Sequence, residues 1–428
     1  MVHVVDLELP RGMRDLDSDD LEGINYVREK FFEFAHLFNF TVMEPSPIET
    51  LRTLETKAGP SISDEIYSMT DKGGRDIGLR FDLTVGLTRF VTRRRDLKMP
   101  IKIASFGGVW RYDEPQAGRY RYFHQCDIEI YGSRKLNSDA EIIEFMYLFL
   151  RNLGLDVTLE ISHRPLVEEF IRKKLKISDG ALISEIFRIM DKVPKKGPEG
   201  ILTEYGNKID RSVLEKLITF SSIRGRVPEV NNNGQLIELE NWKTMTELMD
   251  MLESRQITNA TINLGIVRGL DYYSGIVFEA YDANAKVGAL VGGGRYDTLT
   301  DQFGRKDMGA TGAAAGVERI ILALQQRNLL RKAHNQIVYV AHTSDMTKQK
   351  AIRVISNLRN NGFVTDYNLQ DRSLAKQLDE ASSKNASVVI ILAPKEIEQG
   401  EVIIKSLRTG KEKRTNIQNL VDELRVEM

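Results

Sequence analysis

Cysteine is almost absent from this chain, since Cys126 is the only one among 428 residues. A single cysteine excludes an internal disulfide framework and any zinc site built on a CxxC pair. The 6 histidines are scattered along the sequence and show no metal-ligand spacing. No zinc or other structural metal is therefore expected.

Long apolar runs are also missing. The strongest, such as VVIILA (388–393), are far too short to span a bilayer. The opening MVHVVDLELPRGMRD (1–15) has no apolar signal core. We therefore expect a cytoplasmic protein with no membrane partner. The formal net charge of −1 shows no overall basic excess, so any contact with nucleic acid must come from local patches.

Two common phosphate-binding sequences do not occur. The chain contains neither GxxxxGKS nor GxxxxGKT, the pattern of a phosphate-cradling P-loop. No GxGxxG opens a helix either, which excludes the usual dinucleotide fingerprint. If this protein binds phosphates, arginines on a sheet must hold them.

The chain is long enough for two or three domains. Mixed strand and helix patterns over 1–164 and 256–326 predict one α+β core. Helical periodicity dominates 165–255, which we interpret as a helical insertion. Strands and helices alternate closely over 335–428, which predicts a separate α/β domain with a mostly parallel sheet.

Several local predictions follow from periodicity and turn residues. A first helix is expected after Asp19 and Asp20, with an inward face that begins at Leu21, and KKGPEG (195–200) is expected to break a helix. ALVGGGRYD (289–297) is strand-rich, VGGGRYD (291–297) within it is expected to add a glycine-rich turn, and helix signals resume at about 312–324. Near the C-terminus, the residues predicted to face inward from one helix are Ile352, Ile355 and Leu358.

The most informative stretch is WRYDEPQAGRYRYFHQ (110–125). The apolar run 101–110 leads into it and CDIEIYG (126–132) leads out, which predicts a strand, a loop and an antiparallel strand. Arg111, Arg119 and Arg121 would then lie on a rigid sheet and its loop. Guanidinium groups suit phosphate oxygens because they offer paired donors in a fixed fork. Taken alone, a solvated hairpin with surface charges explains the stretch equally well.

Two further segments each carry an arginine beside special residues. VRGLDYYSGIVFEAY (267–281) sets Arg268 before two tyrosines, whose phenols could surround a small polar ligand; a turn with two packed tyrosines is the alternative. GATGAAAGVERII (309–321) sets Arg319 at a helix start after small residues that allow close approach. A tight strand–helix junction with a surface ion pair is the alternative there.

Together these segments resemble the class II aminoacyl-tRNA synthetases, and within them the histidyl-tRNA synthetase family. PSPIE (45–49) resembles motif 1, the 110–125 stretch motif 2, and GAAAGVER (312–319) motif 3. RGLDYYSG (268–275) and GGGRYD (292–297) resemble the two signatures of the histidine enzymes. The resemblance covers nearly the whole chain. It implies a class II antiparallel-sheet catalytic core with a helical insertion, and a C-terminal α/β anticodon-binding domain.

The resemblance also implies an activity. Histidine would react with ATP, in the presence of Mg²⁺, to give histidyl-adenylate, and the histidyl group would pass to the 3′ end of tRNA(His). Arg111 and Arg268 would contact the α-phosphate, with Arg268 as the main transition-state contact. Arg119 and Arg319 would hold the distal phosphates, and Phe123 and Arg319 would enclose the adenine. A homodimer that buries the motif 1 strand is expected.

Recognition of the amino acid is implied in the same way. For the ammonium group the matching residues are Asp82, Thr84 and Gln125. For the imidazole they are Glu129 and Tyr273, with Tyr296 nearby and Tyr272 and Arg268 in the same signature. Glu129 could instead form a strand ion pair, and Asp82 could instead cap a helix.

Three other functions would account for part of these sequence features. An inactive paralogue that regulates ATP phosphoribosyltransferase would lack the anticodon-binding domain and key arginines, and this chain keeps both. A synthetase for proline, threonine or glycine is disfavoured by RGLDYY and GGGRYD. A tRNA-sensing domain of a stress kinase is disfavoured because no kinase segment occurs.

Overall fold

The computed structural model describes residues 8–56, 63–113, 120–231, 234–267, 272–330, 336–370 and 372–427. The chain divides into two compact units, Met1–Arg331 and Lys332–Met428. The strands of the first unit are β1 (Thr41–Val42), β2 (Ile48–Thr50), β3 (Ser68–Thr70), β4 (Asp76–Leu79), β5 (Ile101–Trp110), β6 (Tyr122–Tyr131), β7 (Val157–His163), β8 (Arg224–Gly225), β9 (Ala260–Asn263), β10 (Ile276–Asp282), β11 (Val291–Arg295) and β12 (Ala310–Gly316).

Helices accompany these strands in the first unit. They are α1 (Ser18–Leu37), α2 (Leu51–Glu55), α3 (Thr84–Arg93), α4 (Leu136–Asn152), α5 (Arg164–Lys173), α6 (Gly180–Tyr205), α7 (Arg211–Ser221), α8 (Val227–Val230), α9 (Gly234–Ile237), α10 (Trp242–Ser254), α11 (Asp297–Gln302) and α12 (Val317–Gln326). None of the helices in the described ranges combines the length and the apolar character that crossing a membrane requires.

A nine-stranded sheet forms the centre of the first unit, in the order β1-β5-β6-β12-β11-β10-β7-β9-β8. Its six central strands, from β5 to β7, pair antiparallel, whereas β1 joins β5 and β9 joins β7 in parallel. A small separate sheet has the order β2-β4-β3. The antiparallel hairpin predicted around the 110–125 stretch is therefore present as β5 and β6.

The two faces of the large sheet carry different side chains. Cys126, Ile128 and Ile130 of β6 point into one hydrophobic cluster, which also contains residues of α1, α4 and α12. Tyr131 belongs to a second cluster together with Leu83 and Leu87 around α3. Because successive strand residues face opposite sides, the even-numbered residues of β6 build the main core, and the odd-numbered ones face the second cluster.

The first helix begins at Ser18, three residues earlier than predicted, and Asp17 is its cap. The side chain of Asp17 accepts a hydrogen bond from the backbone N–H of Asp20 at 2.9 Å. The inward face holds Ile24, Val27 and Phe31, but Leu21 is 46% exposed. The prediction for Leu21 was wrong because, at 3.6 residues per turn, it lies about 100° around the axis from the centre of the buried stripe.

The predicted break at KKGPEG is a kink. Helix α6 continues across it, with Gly197 at φ 70° and ψ 167° and with Pro194 and Pro198 on either side. A φ in this left-handed region costs little at glycine. The buried residues of α5 to α10 belong to the same cluster as the main core, and the rings of Phe170 and Phe220 stack with centroids 3.8 Å apart.

The strand expected over 289–297 is confirmed as β11, but the glycines predicted to form a turn lie within that strand, and residues 310–316 form a strand where helix signals were expected to resume. The glycines of VGGGRYD lie in β11, and residues 310–316 form β12 before α12 begins. A methyl group added at Gly293 would lie 2.5 Å from the carbonyl oxygen of Gly312. The local sequence signalled a turn, but glycine is required here by the close approach of neighbouring strands.

The second unit has its own sheet and cores. Its elements are β13 (Val338–His342), α13 (Asp345–Asn360), β14 (Thr365–Tyr367), α14 (Leu374–Ser383), β15 (Val388–Leu392), α15 (Pro394–Glu398), β16 (Glu401–Ser406), β17 (Glu412–Asn416) and α16 (Leu420–Glu427). The order is β14-β13-β15-β16-β17, and β15, β16 and β17 pair antiparallel. The predicted mostly parallel sheet is thus mixed. Ile352 is 48% exposed, against prediction, and Val354 faces the core in its place.

Candidate active site

A row of polar side chains runs along the second face of the sheet on β6. Gln125, Asp127 and Glu129 are two residues apart and therefore share one face, and all three are buried. Their neighbours on β12 are Gly316, Ala314 and Gly312, respectively. Because these residues of the adjacent strand are small, their side chains do not cover the polar row. An uncovered polar row of this kind can line a ligand-binding pocket.

Glu129 lies at the inner end of this row and is 1% exposed. The phenol of Tyr296 donates a hydrogen bond to Glu129 Oε2. Burial, and next the charge of Glu129, raise the pKa of Tyr296 well above its ordinary value, so the phenol keeps its proton. A buried carboxylate that holds a phenol in this way remains an acceptor of further hydrogen bonds.

The predicted tyrosines meet around this pair. The ring centroids of Tyr272 and Tyr296 are 6.1 Å apart, in an edge-to-face arrangement at 80°. Those of Tyr272 and Tyr273 are 4.4 Å apart. The resemblance assigned Glu129 and Tyr273 to the imidazole, with Tyr296 nearby. In the structure the phenol of Tyr296 is bonded to Glu129.

At the start of α3, Asp82 and Thr84 are both buried. Asp82 Oδ1 accepts a hydrogen bond from the backbone N–H of Val85 at 3.0 Å, so the alternative that Asp82 caps a helix describes part of its role. Gln125 differs, because its Oε1 atom is buried and has no hydrogen-bond partner among the residues that the structure describes. An unsatisfied buried carbonyl oxygen is a suitable acceptor for a ligand N–H.

Two of the predicted phosphate-binding arginines reach the same end of β6. Arg111 Nε donates to the carbonyl oxygen of Phe81 at 2.9 Å, and its guanidinium lies 5.3 Å from the centroid of the Phe123 ring. Arg319 Nη1 donates to the carbonyl oxygen of Ala289 at 3.0 Å. Arg119 and Arg268 lie outside the described residues.

Helix α12 is tied to β6 next to Phe123. Glu318 Oε2 accepts the backbone N–H of His124 at 2.9 Å, and Glu318 Oε1 lies 2.9 Å from His124 Nδ1. Since Glu318 precedes Arg319 and Phe123 precedes His124, these bonds bring the Arg319 backbone to the strand that carries Phe123. Arg111 therefore lies beside the Phe123 ring, and the start of α12, which carries Arg319, is joined to the same strand.

Other arginines of the same motifs are structural, which the sequence alone could not distinguish. Arg121 Nη1 donates to the carbonyl oxygen of Arg11 at 2.9 Å, and its guanidinium lies 3.8 Å from the Tyr112 ring centroid. Arg80 Nη1 donates to the carbonyl oxygen of Pro45 at 2.6 Å. These buried arginines fasten the segments before β2 and before α1 to the hairpin.

Two residues of the second face were missed. Tyr131 and Thr88 are fully buried, and their hydroxyl oxygens are 3.1 Å apart. The alternation in CDIEIYG was the available signal, because it sets Tyr131 two residues after Glu129 and therefore on the same face.

Among the described residues, acidic and histidine side chains do not form a cluster that suggests a metal centre. Within the described ranges, no three His, Cys, Asp or Glu side chains come together as a group that could hold a metal ion.

Comparison with known proteins identifies the family. A family model described as histidyl-tRNA synthetase matches residues 12–320. The chain belongs to this family. A second model, described as an anticodon binding domain, matches residues 336–427. The histidine–tRNA ligase of Pyrococcus furiosus is 33% identical over 428 residues, which cover 97% of this chain and 98% of that protein.

Further relatives agree with this assignment. The histidine–tRNA ligase of Pyrococcus horikoshii is 33% identical over 429 residues, covering 98% of this chain and 99% of that protein. The crystal structure of histidyl-tRNA synthetase from Nostoc sp. PCC 7120 matches with a TM-score of 0.80 at 23% identity, and covers 99% of this chain and 100% of that one. That likeness supports the fold.

These findings decide several predictions. Membership of the histidyl-tRNA synthetase family, the aminoacyl-tRNA ligase class and the α+β architecture with an anticodon-binding domain are confirmed. The alternative of a synthetase for proline, threonine or glycine is not supported, since the matching family is that of the histidine enzymes.

Proposed function

We propose that this chain activates histidine with ATP to histidyl-adenylate and transfers the histidyl group to the 3′ end of tRNA(His). The observation that carries the proposal is the shared sheet face of Gln125 and Glu129, with Tyr296 bonded to Glu129. That face offers acceptors for both ends of a histidine molecule, and Arg111 and Phe123 lie at one end of the same strand.

The ATP end of the site follows from the chemistry of adenylation. The histidine carboxylate is ionised near neutral pH, so it attacks the α-phosphorus without a protein base, and pyrophosphate leaves. Charge builds on the phosphate oxygens, so positioning and fixed positive charge supply the catalysis. We assign Arg111 and Arg268 to the α-phosphate and Arg119 and Arg319 to the distal phosphates. Phe123 and Arg319 would hold the adenine.

The histidine end requires two kinds of recognition. For the ammonium group we assign Asp82, Thr84 and the Oε1 atom of Gln125, which is buried and ready to accept. For the imidazole we assign Glu129 and Tyr296, with Tyr272, Tyr273 and Arg268 completing the wall. An amino acid that lacks the imidazole would leave these buried polar groups unpaired, and such a site rejects analogues strongly.

Magnesium enters this scheme with the triphosphate. Mg²⁺ prefers oxygen ligands and keeps several waters, so phosphate oxygens can supply much of its coordination. We assign no further metal to the reaction.

The larger assembly is also a proposal. We propose a cytoplasmic homodimer formed through the motif 1 region, where Val42, Ile48 and Met69 are exposed apolar residues of β1, β2 and β3 and β1 is an edge strand. Association would cover apolar side chains that a monomer leaves in water. The second unit would bind the anticodon arm, with the basic segment KSLRTGKEKR (405–414) near RNA phosphates.

ATP–pyrophosphate exchange with each of the twenty amino acids tests the proposal. Exchange should occur with histidine and not with proline, threonine or glycine. Arg268→Ala should keep histidine binding, measured by calorimetry, and lose about 10²–10³-fold in exchange, as expected for removal of one charge-stabilising donor. Exchange with proline instead of histidine would overturn the substrate, and unchanged exchange in Arg268→Ala would remove that residue from the mechanism.

A further inference from the structure

A chain of hydroxyl groups lies beside the Glu129–Tyr296 pair. Tyr131 and Thr88 are each 0% exposed, and Tyr131 Oη lies 3.1 Å from Thr88 Oγ1. Thr88 Oγ1 in turn donates to the carbonyl oxygen of Thr84 at 2.8 Å. The chain therefore links the sheet face that carries Glu129 with the helix start that carries Thr84.

Counting protons fixes the direction of these bonds. Each hydroxyl has one proton and can otherwise only accept. The carbonyl oxygen of Thr84 can only accept and is the nearer partner of Thr88, so it takes the Thr88 proton. Tyr131 must then donate to Thr88, and the phenolic oxygen of Tyr131 is left with lone pairs alone.

The same count applies to Tyr296. Its ring lies edge-to-face to that of Tyr131, at 6.4 Å between centroids and 78°, and its single proton goes to Glu129. Burial, and next the charge of Glu129, raise the pKa of Tyr131 well above its ordinary value. Both phenols therefore remain protonated, and the directions of the bonds do not change with pH in the physiological range.

We propose that Thr88 and Tyr131 are positioning residues that set the hydrogen-bond polarity of the histidine pocket. Because Thr88 takes up the Tyr131 proton, that proton does not compete with Tyr296 for Glu129. Glu129 is thereby held as an acceptor, and the pocket takes an imidazole with an N–H directed at Glu129. This inference rests on the proposed function of the site.

The prediction is an unequal effect of two single substitutions and their combination. Thr88→Val leaves the Tyr131 phenol in place without its Thr88 acceptor, and the polar groups that still interact with this phenol include Tyr296 and the charge of Glu129, so its proton turns toward the Tyr296–Glu129 pair. We expect the KM for histidine in ATP–pyrophosphate exchange to rise about tenfold, with the KM for ATP nearly unchanged. Adding Tyr131→Phe removes the misdirected proton, and the double variant should recover most of the lost histidine affinity.

Two matched variants separate this role from a structural one. Thr92 lies one turn later in α3, is buried, and donates to the carbonyl oxygen of Thr88 at 2.7 Å. Thr92→Val removes the same kind of hydroxyl outside the chain and should leave the KM for histidine unchanged. Thr88→Ser keeps the hydroxyl and should behave like the unsubstituted protein. Tyr131→Phe alone should be milder than Thr88→Val, and it provides the test if Thr88→Val does not fold.

The outcomes distinguish a failure of the proposed function from a failure of the inference about Thr88 and Tyr131. If the unsubstituted protein does not exchange with histidine, the proposed function fails. If it does, the inference is overturned by a normal KM for histidine in Thr88→Val, by equal increases for histidine and ATP, or by an equal effect of Thr92→Val. Failure of the double variant to recover affinity would also reject the role of the Tyr131 proton.

Discussion

Gly312 lies directly across from Glu129 in the pairing of β6 with β12, and a methyl group added at Gly312 would lie 1.5 Å from Glu129 Oε2. Two atoms cannot approach so closely without a covalent bond. The carboxylate of Glu129 therefore occupies the space that a side chain on the neighbouring strand would need. Glycine at 312 is a requirement of the site, because it lets Glu129 lie over the strand and accept the Tyr296 phenol.

Gly312→Ala should abolish recognition of histidine at a moderate loss of stability. Glu129 would have to move from its place, so we expect exchange activity with histidine to fall about 100-fold or more. Overpacking should lower the free energy of unfolding by about 1–3 kcal/mol. Exchange kinetics and urea unfolding measure the two effects. Gly180→Ala is the control, since nothing lies within 4 Å of an added methyl group there. A folded Gly312→Ala variant with normal exchange would contradict the prediction.

Removing the phenol oxygen of Tyr296 should weaken histidine binding selectively. Tyr296→Phe deletes the donor to Glu129 and leaves the ring in place, so we expect the KM for histidine to rise about tenfold and the KM for ATP to stay near its original value. Tyr205→Phe is a matched control, because it removes a phenol that Lys192 Nζ contacts at 2.6 Å in the helical insertion. Equal changes in both variants would argue against a specific role of Tyr296.

The ion pair of Arg295 with Asp139 should be important for stability. Arg295 Nη2 donates to Asp139 Oδ2 at 2.6 Å, and both residues are buried. Asp139→Ala would remove the closer carboxylate and leave the buried guanidinium with Asp297 Oδ1, 3.3 Å from Nη1, which should cost about 3 kcal/mol of unfolding free energy. Urea unfolding provides the measurement. The exposed pair Arg94–Asp96 gives the comparison, since Asp96→Ala should produce no measurable change. An Asp139→Ala variant of unchanged stability would show that Asp297 alone compensates the charge of Arg295.

Acid sensitivity should arise at His163, at the junction of β7 and α5. Burial lowers the pKa of His163 to about 4, opposed by a hydrogen bond from the imidazole to the backbone of Asn241 and by the charge of Glu169. The unfolded chain binds this proton at about pH 6.5 and the folded chain only at about pH 4, so stability is complete above about pH 6.5 and is lost as the pH falls.

The expected loss at His163 is about 2 kcal/mol between pH 7.5 and pH 5. The contribution of His163 is isolated by urea unfolding of the unsubstituted protein and of His163→Gln at both pH values. The variant lacks the titrating imidazole but still shows the pH-dependent loss of stability that all other groups cause. Equal pH dependence in the two proteins would show that His163 titrates normally in the fold.

The sequence predicted those features that depend on neighbouring residues in the chain. The inward-facing Ile355 and Leu358 of α13 were predicted from the 3.6-residue period, and both side chains are buried. The hairpin of β5 and β6 was predictable because the turn residues between two apolar runs are adjacent in sequence.

The remaining features depend on distant partners. Tyr296 bonds to Glu129 at a separation of 167 positions in the sequence, and nothing in either segment specifies which phenol donates. The glycines of β11 suggest a turn when only the local sequence is considered. Glycine is needed there because the neighbouring strands lie too close for a side chain. Arg111 and Arg121 belong to the same motif, and the sequence does not distinguish their roles. The structural role of Arg121 follows from its hydrogen bond to the distant carbonyl oxygen of Arg11.

The large sheet separates two hydrophobic clusters, one against α1 and α4 and one around α3 and the tyrosines. The larger cluster also includes residues of the helical insertion. Most of the hydrophobic core of the first unit therefore lies on the face of the sheet opposite to the face that carries Glu129. An engineer who wishes to alter which amino acid the enzyme accepts can therefore confine a mutant library to odd-numbered positions of β6 and their neighbours in front. Variants from such a library should keep their scaffold even when they lose their ligand.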